Sequence, residues 1–400
     1  MRVPGTHLKG SVPSRSPLCY ATAVSKLAPV EDALHAIAAG RMVILVDDED
    51  RENEGDLVVA ADAVTAEHIA FMSREARGLI CVALTADRCA ELQLSPMVSR
   101  NTAPLGTAFT RSVDHRRFGG LGATARAATI RAAVDPGSRA EDFVSPGHIF
   151  PLRARPGGVL VRSGQTEGSV DLARLAGRAP AGVICEVMAA DGTMMRLPRL
   201  LELGAEHGIP VTTVADLIRY RLENERLVRC LSEAQLPTEY GVFQVRCFED
   251  LVHGQIHVAL IHGDITGDST LVRVHRADPV ADVFGLDFMP SRSRLAWSLR
   301  RMVEEGGGVL VYLRPDGDDD PFDDRLRLYG ALARGERPAV GAAPSMGFHD
   351  FGIGAQILGE LGLSRIRVIT NRPRSFKGLA GYGISIVGWV PLGEPHPAAP

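Results

Sequence analysis

Met42-Val43-Ile44-Leu45-Val46, Asp47-Asp48-Glu49-Asp50-Arg51-Glu52-Asn53-Glu54-Gly55-Asp56 and Leu57-Val58-Val59-Ala60-Ala61 follow one another without a break: two apolar runs enclose a block of charge. Each run is too short for a buried helix and reads as a core strand. The charged block is then a loop held at the end of two strands. Arg51, Glu52, Glu54 and Asp56 crowd that loop, and repulsion among the acids costs stability unless a cation, or an anionic ligand with a metal, offsets it. On composition alone the block is equally a solvated charged turn.

Outward from this unit, helices and strands alternate. Val30, Ala33, Leu34 and Ile37 recur at helical spacing and Gly40 stops the helix. Thr65 is a cap for a helix to about Glu75, Leu79 to Leu84 reads as a strand, and Gly157 to Val161 reads as a short one. Pro198 to His207, closed by Gly208, and Val214 to Leu222 behind Thr213 read as helices. The second half opens with β-structure, around Gly241 to Val245, Gln255 to Leu260 and Leu271 to His275. A helix around Leu295 to Glu305 and a strand Val309 to Leu313 follow. The aspartate-rich segment from Pro315 to Asp324 reads as a solvated loop.

With 400 residues and 45% hydrophobic content the chain exceeds one ordinary core and supplies two. A net charge of -4 offers no concentrated basic field, which points away from nucleic acid and anionic membranes and toward small-molecule partners. The six cysteines form no CxxC pair, against a disulfide framework or a zinc knuckle, and imply a reducing compartment. No apolar run approaches the roughly 18 to 20 residues of a membrane span, and residues 1–28 lack the apolar core of a signal peptide. A cytoplasmic protein with a flexible leader is expected.

The block Asp48 to Asp56 closely resembles the acidic signature of the 3,4-dihydroxy-2-butanone 4-phosphate synthases, riboflavin-pathway lyases that rearrange ribulose 5-phosphate. The resemblance continues in order through Ser145-Pro146-Gly147-His148-Ile149-Phe150-Pro151-Leu152, Gly157-Gly158-Val159-Leu160, Thr166-Glu167 with Asp171-Leu172, and Ala181-Gly182-Val183-Ile184-Cys185-Glu186. It implies loss of formate from ribulose 5-phosphate, aided by Mg2+ (or Mn2+). Position by position it makes Glu52 a metal ligand, with Gln165 where the family has its second, a histidine. It places Arg51, Glu52, Asp56, Arg162, Thr166 and Glu186 around the substrate and assigns proton transfer to His148, Glu186 and Glu54. It also implies a homodimer with sites completed across the interface. Phe118-Gly119 and Ala125 replace the family's Thr-Thr pair and Asp, and Leu105 stands where His or Tyr is usual.

From about Phe243 to Leu392 the chain resembles GTP cyclohydrolase II, through blocks such as His257-Val258-Ala259-Leu260, Val272-Arg273-Val274-His275 and Asp282-Val283-Phe284-Gly285. That enzyme needs three thiolates on zinc, and here those positions read Asp278, Met289 and Ser291, so neither zinc nor cyclohydrolase activity is expected. The phosphate-handling run appears as Arg314-Pro315-Asp316-Gly317-Asp318, the catalytic Asp-x-Arg as Gly347-Phe348-His349, and the late phosphate-binding Lys as Ser375. A new metal site from His275, Asp278 and His349 is the alternative at this end.

The expected architecture is therefore α/β (α+β) in two domains. A synthase-like α/β domain spans 29–222, a linker 223–240, a cyclohydrolase-like α+β domain 241–392 and a disordered tail 393–400. Three functions stay open: a synthase with a silent second domain, an inactive paralogue that tunes an active partner by hetero-oligomerisation, and a diverged enzyme for a related sugar phosphate.

Overall fold

The computed structural model describes residues 26–49, 51–267, 269–315, 322–336, 348–373 and 383–393. In the N-terminal half, the strands β1 (Val43–Val46), β2 (Gly55–Ala60), β3 (Cys81–Leu84), β4 (Val113–His115), β5 (Phe143–Arg153), β6 (Ala181–Glu186) and β7 (Val211–Thr213) form one sheet in the order β4-β5-β3-β6-β2-β1-β7. The two apolar runs are indeed antiparallel neighbours, with Val46 opposite Gly55 and Leu45 opposite Asp56.

The central strands β1, β2, β3 and β6 are buried on both faces because helices cover both, while β5 near the margin is partly exposed. On one face lie α1 (Val30–Ala38), α5 (Gln165–Leu175) and α7 (Val214–Asn224), whose Ile37, Leu172 and Leu217 pack on Leu45, Val58 and Ile184. On the other lie α2 (Ala66–Phe71), α4 (Ala123–Val134) and α6 (Leu197–His207), whose Ile69, Ile130 and Leu200 pack on Ile44, Leu57 and Val183. A short helix, α3 (Ala86–Glu91), follows β3. Local chemistry sets the ends: the Thr65 hydroxyl accepts from His68 N–H, Thr213 from Asp216 N–H, and Gly208 closes α6 at a φ of 64°.

The second half builds a mixed sheet from β8 (Val228–Thr238), β9 (Gly241–Asp250), β10 (Ile256–Gly263), β11 (Thr270–Arg276), β12 (Gly307–Leu313), β13 (Arg365–Ile369) and β14 (Ser385–Val390), ordered β14-β13-β11-β12-β10-β9-β8. Leu299 and Met302 of α9 (Ser291–Glu304) cover one face with Phe243, Leu271 and Leu310. Ile353 and Ile357 of α11 (Phe348–Glu360) cover the other with Ala259, Val272 and Val311. The helices α8 (Pro279–Phe284) and α10 (Phe322–Ala333) complete the domain.

Three expectations are corrected. Residues 223–240 are not a linker: α7 runs to Asn224 and β8 pairs with β9 from Val228 to Thr238. The run Gly157 to Val161 is no strand but a 3-10 turn over Gly158–Leu160, since Gly157 and Gly158 take positive φ of 88° and 65°. Asp323 and Asp324 open α10 rather than extending a loop, where their charge suits a helix N-terminus. The leader before Lys26 and the tail after Gly393 lie outside the described residues.

A buried ion cluster joins α5, α7 and the turn at Gly157. Arg221 of α7 donates through Nη1 to Asp171 Oδ2 (2.8 Å) and to the Gly157 carbonyl (2.6 Å), and Glu225 takes its Nη2 at 2.9 Å. Asp171→Ala should lower the unfolding free energy read from urea denaturation by about 3 kcal/mol, the lower end for breaking a buried pair, because Glu225 still holds the guanidinium.

Candidate active site

The acidic loop between β1 and β2 is folded around one buried carboxylate. Asp47 accepts from Glu54 N–H (2.8 Å) and Glu52 N–H (3.3 Å), and Arg51 Nη1 donates to it at 2.6 Å. The same Nη1 reaches Glu52 Oε2 (2.7 Å) and the amide oxygen of Gln165 (2.9 Å). Gln165 also donates from Nε2 to the Glu54 carbonyl at 3.4 Å, so it stitches the loop to the first residue of α5. From the other side Arg196 Nη1 donates to the Glu52 carbonyl (2.7 Å) and to that of Asn53. Asp47 and Arg196 were not singled out from sequence: the first is hidden by its acidic neighbours, and the second is 144 residues from its partner, which no local pattern reveals.

Asp56 stands directly opposite Glu186 across the β2–β6 ladder, so the two side chains share a face. Burial, then the charges of Glu186, Glu52, Asp47 and Glu54, push the Asp56 carboxyl well above the ordinary carboxylate range. Glu54 is raised too, by burial and then by Glu52, with Arg196 opposing. Glu186 itself accepts from Leu79 N–H at 2.9 Å.

The start of α5 presents free backbone N–H groups with no capping side chain, and two arginines converge on its cap residue. A methyl group on Gly164 would lie 2.5 Å from Arg162 Nη1 and 3.0 Å from Arg51 Nη2. Arg162 is held by Glu167 Oε2 (2.6 Å) and Thr107 Oγ1 (3.3 Å). Thr166 is buried in the first turn of α5. Two guanidinium groups at a helix N-terminus make a cradle for a phosphate.

His148 sits apart, exposed on β5. Its Nδ1 lies 2.6 Å from Asp114 Oδ2, and its N–H donates to Asp114 Oδ1 at 3.1 Å. The registers Cys81↔Phe150 and Cys81↔Ile184 put His148 and Glu186 on one level of the sheet but two strand spacings apart, roughly 10 Å. Within one chain the structure therefore gathers Arg51, Glu52, Glu54, Asp56, Gln165 and Glu186, and leaves His148 outside that group. Asp114, its partner, is a further residue that sequence reading missed. The altered loop is compatible with this pairing only because it holds glycine: a Cβ on Gly119 would lie 2.6 Å from the Asp114 Cβ.

In the C-terminal domain two of the three positions expected for zinc ligands, Asp278 and Ser291, are held by hydrogen bonds. Asp282 accepts from His275 Nε2 (3.0 Å), Ser291 Oγ (2.6 Å), Tyr312 OH (2.9 Å) and Asp278 N–H (2.8 Å). Burial alone would raise its carboxyl, but the hydrogen bond and charge of His275, with Ser291 and the Asp278 N–H, outweigh it and hold it at about 2. The Asp278 side chain caps α8, bonds the Tyr329 hydroxyl and meets Arg325 at 3.3 Å. His275 Nε2 and the Asp278 carboxylate thus face protein partners, His275 Nδ1 is buried without one, and the side chain of His349, with Asp316 to Asp318, Gly347 and Ser375, lies outside the described residues. Among the described residues no three His, Cys, Asp or Glu side chains form a metal cage.

The fold and the acidic site define a two-domain protein of riboflavin-synthesis type: the family pattern of 3,4-dihydroxy-2-butanone 4-phosphate synthase matches residues 31–220 and that of GTP cyclohydrolase II residues 229–391. The chain belongs to the family that joins these two domains. It is 46% identical to the riboflavin biosynthesis protein RibBA of Aquifex aeolicus, over 93% of this chain and 94% of that one. It is 44% identical to a 3,4-dihydroxy-2-butanone 4-phosphate synthase of Pseudomonas syringae pv. tomato, over 91% and 98%. Among solved structures it is similar to RibBX, a two-domain 3,4-dihydroxy-2-butanone 4-phosphate synthase from A. baumannii, with a TM-score of 0.75, 38% identity, and coverage of 91% of this chain and 99% of that one. No helix among the described residues is long and apolar enough to cross a membrane.

The raised Asp56 carboxyl has a signature in stability. A carboxyl whose folded pKa exceeds its unfolded value contributes stability below the unfolded pKa and loses it as pH rises through the folded one. Asp56→Asn should therefore raise the melting temperature at neutral pH and change it little at acidic pH, as scanning calorimetry across pH would read.

Proposed function

We propose that the chain converts D-ribulose 5-phosphate to 3,4-dihydroxy-2-butanone 4-phosphate and formate at the N-terminal site. The observation that carries this reading is the set of carboxylates held together at a cost, Asp56 and Glu54 above all, beside a two-arginine phosphate cradle. A turn kept only for stability gains nothing from a buried carboxyl opposite another acid.

Mg2+ fits the residues present. Glu52 and Gln165 offer hard oxygens, the crowded acids favour added positive charge, and Mg2+ keeps most of its shell as water, so two protein ligands suffice. When bound, the ion supplies electrostatic stabilisation of the negative charge that develops on the sugar oxygens. Arg162, Thr166 and the N-terminus of α5 hold the phosphate end, with Arg51 free to turn to it from Glu52 and Gln165. Glu54, Asp56 and Glu186 flank the space left for the carbon chain, and the raised carboxyls of Glu54 and Asp56 suit proton exchange with it. His148, oriented by Asp114, serves as a further proton-transfer group.

The gap between His148 and Glu186 favours a homodimer in which a second copy completes each site. Leu79, Phe118, Leu121 and Val144 are large apolar side chains left exposed on the His148 side of the sheet, which supports a covered surface there. For the C-terminal domain we propose no GTP cyclohydrolase activity, since Asp278, Met289 and Ser291 supply no thiolate and the first and last are engaged by Tyr329 and Asp282. The inactive-paralogue reading lacks a comparable observation at the acidic site.

Purified protein with Mg2+ and ribulose 5-phosphate should release formate and the four-carbon phosphate in equal amounts, and GTP should release none. Gln165→His should raise turnover at limiting Mg2+ roughly tenfold or more, because an imidazole replaces a weak neutral donor. Absence of turnover in both proteins would remove the synthase reading.

A further inference from the structure

The turn that delivers Arg162 is built partly from the other domain. Gly157 and Gly158 take φ of 88° and 65°, and a Cβ on Gly158 would fall 2.2 Å from Asp171 Oδ2. From inside, Asp171 takes Val159 N–H at 2.8 Å and Arg221 takes the Gly157 carbonyl at 2.6 Å. From outside, the turn is pressed by the C-terminal domain. Leu160 is part of that domain's core, with Phe248, Ala259, Ile353 and Ile357, and a Cβ on Gly157 would lie 2.8 Å from Val252 Cγ1.

The helix that holds the turn is gripped as well. Leu222 lies in the same core, and Gln356 of α11 accepts from Leu227 N–H (2.6 Å) and donates to the carbonyls of Leu222 (3.0 Å) and Glu225 (2.7 Å). Arg226 meets Glu360 at 2.7 Å. The turn ends at Arg162, whose N–H bonds the Gly158 carbonyl at 3.1 Å and whose guanidinium lies beside Gly164.

We infer that the C-terminal domain is the positioning element of the phosphate side of the N-terminal site: Val252 and the Leu160 pocket fix residues 157–162, and through them the place of Arg162. The domain that lacks its own thiolates thereby acts on the neighbouring reaction without touching substrate. The inference rests on the proposed synthase reading only for the identity of the ligand.

The test uses the full chain with Val252→Ala, which removes methyl groups facing Gly157 and leaves every proposed site residue in place. Met302→Ala, a truncation in the C-terminal core away from the turn, is the control for general loosening. Amide hydrogen exchange at residues 158–164 should accelerate roughly threefold to tenfold in Val252→Ala and not in Met302→Ala, with β1, β2 and β6 unchanged in both. Calorimetric affinity for inorganic phosphate should fall by a similar factor, and KM for ribulose 5-phosphate should rise while kcat holds. Unchanged exchange at 158–164, or equal acceleration in the control, overturns the inference. Lack of turnover in the parent protein overturns the synthase reading alone, because exchange reports on the turn whatever the reaction.

Discussion

Repulsion among the carboxylates at one end of the N-terminal sheet is the constraint around which the rest is arranged. Asp47, Glu52 and Glu186 lie close enough to raise the carboxyls of Asp56 and Glu54, and Asp56 is also buried. Such a group survives only where surrounding structure overrules it. Arg51 and Arg196 are the counter-charges, and each also bonds loop atoms that would otherwise lack partners. The flanking strands are locked by apolar helices on both faces, so the loop cannot spread to relieve its charge. The site is thus a strained polar feature carried by a rigid apolar frame.

The C-terminal domain meets a similar problem in another way. A zinc ion would cross-link three side chains; here a carboxylate performs the cross-link. Asp282 draws His275, Ser291, Tyr312 and the Asp278 backbone onto one centre, while Asp278 engages Tyr329 and Arg325. Every one of these hydrogen bonds joins groups of this chain, and charge-assisted bonds to a low-pKa carboxylate are the strong kind. Asp282 thus ties β11, β12, α8 and α9 together through groups of this chain.

What could be read from the sequence is what local chemistry decides. The strand–loop–strand unit, the caps Thr65 and Thr213 and the stop at Gly208 depend on neighbours within a few residues, and they stand where the pattern puts them. The turn at 158–160 was misread because Val159-Leu160-Val161 is as apolar as a strand, and only the positive φ of two glycines and contact with another domain reveal otherwise. β8 was mistaken for a linker because ten of its eleven residues are not buried, so no alternation marks it. At the site, the acidic block was legible as a block. Its folding was not, since Asp47–Arg51–Gln165, Asp114–His148 and Arg196–Glu52 depend on side chains brought together from opposite ends of the domain.

The two halves differ in how their altered positions are resolved, and that difference bears on function. At the C-terminal centre Asp278 and Ser291 bond to Tyr329 and Asp282, while His275 Nδ1 is buried without a partner. At the N-terminal centre Gln165 and Arg51 satisfy part of the loop, yet Asp56 faces Glu186 across a ladder, and Asp56 and Glu54 remain raised. A sequence free to drift toward stability removes such conflicts, because replacing a repelled, buried acid by its amide relieves them at once. The uncompensated crowding of acids at the N-terminal centre is the feature on which the proposed synthase site rests. The Asp282 centre joins β11, β12, α8 and α9 without a thiolate, and the domain it braces presses Val252 and the Leu160 pocket on the Arg162 turn.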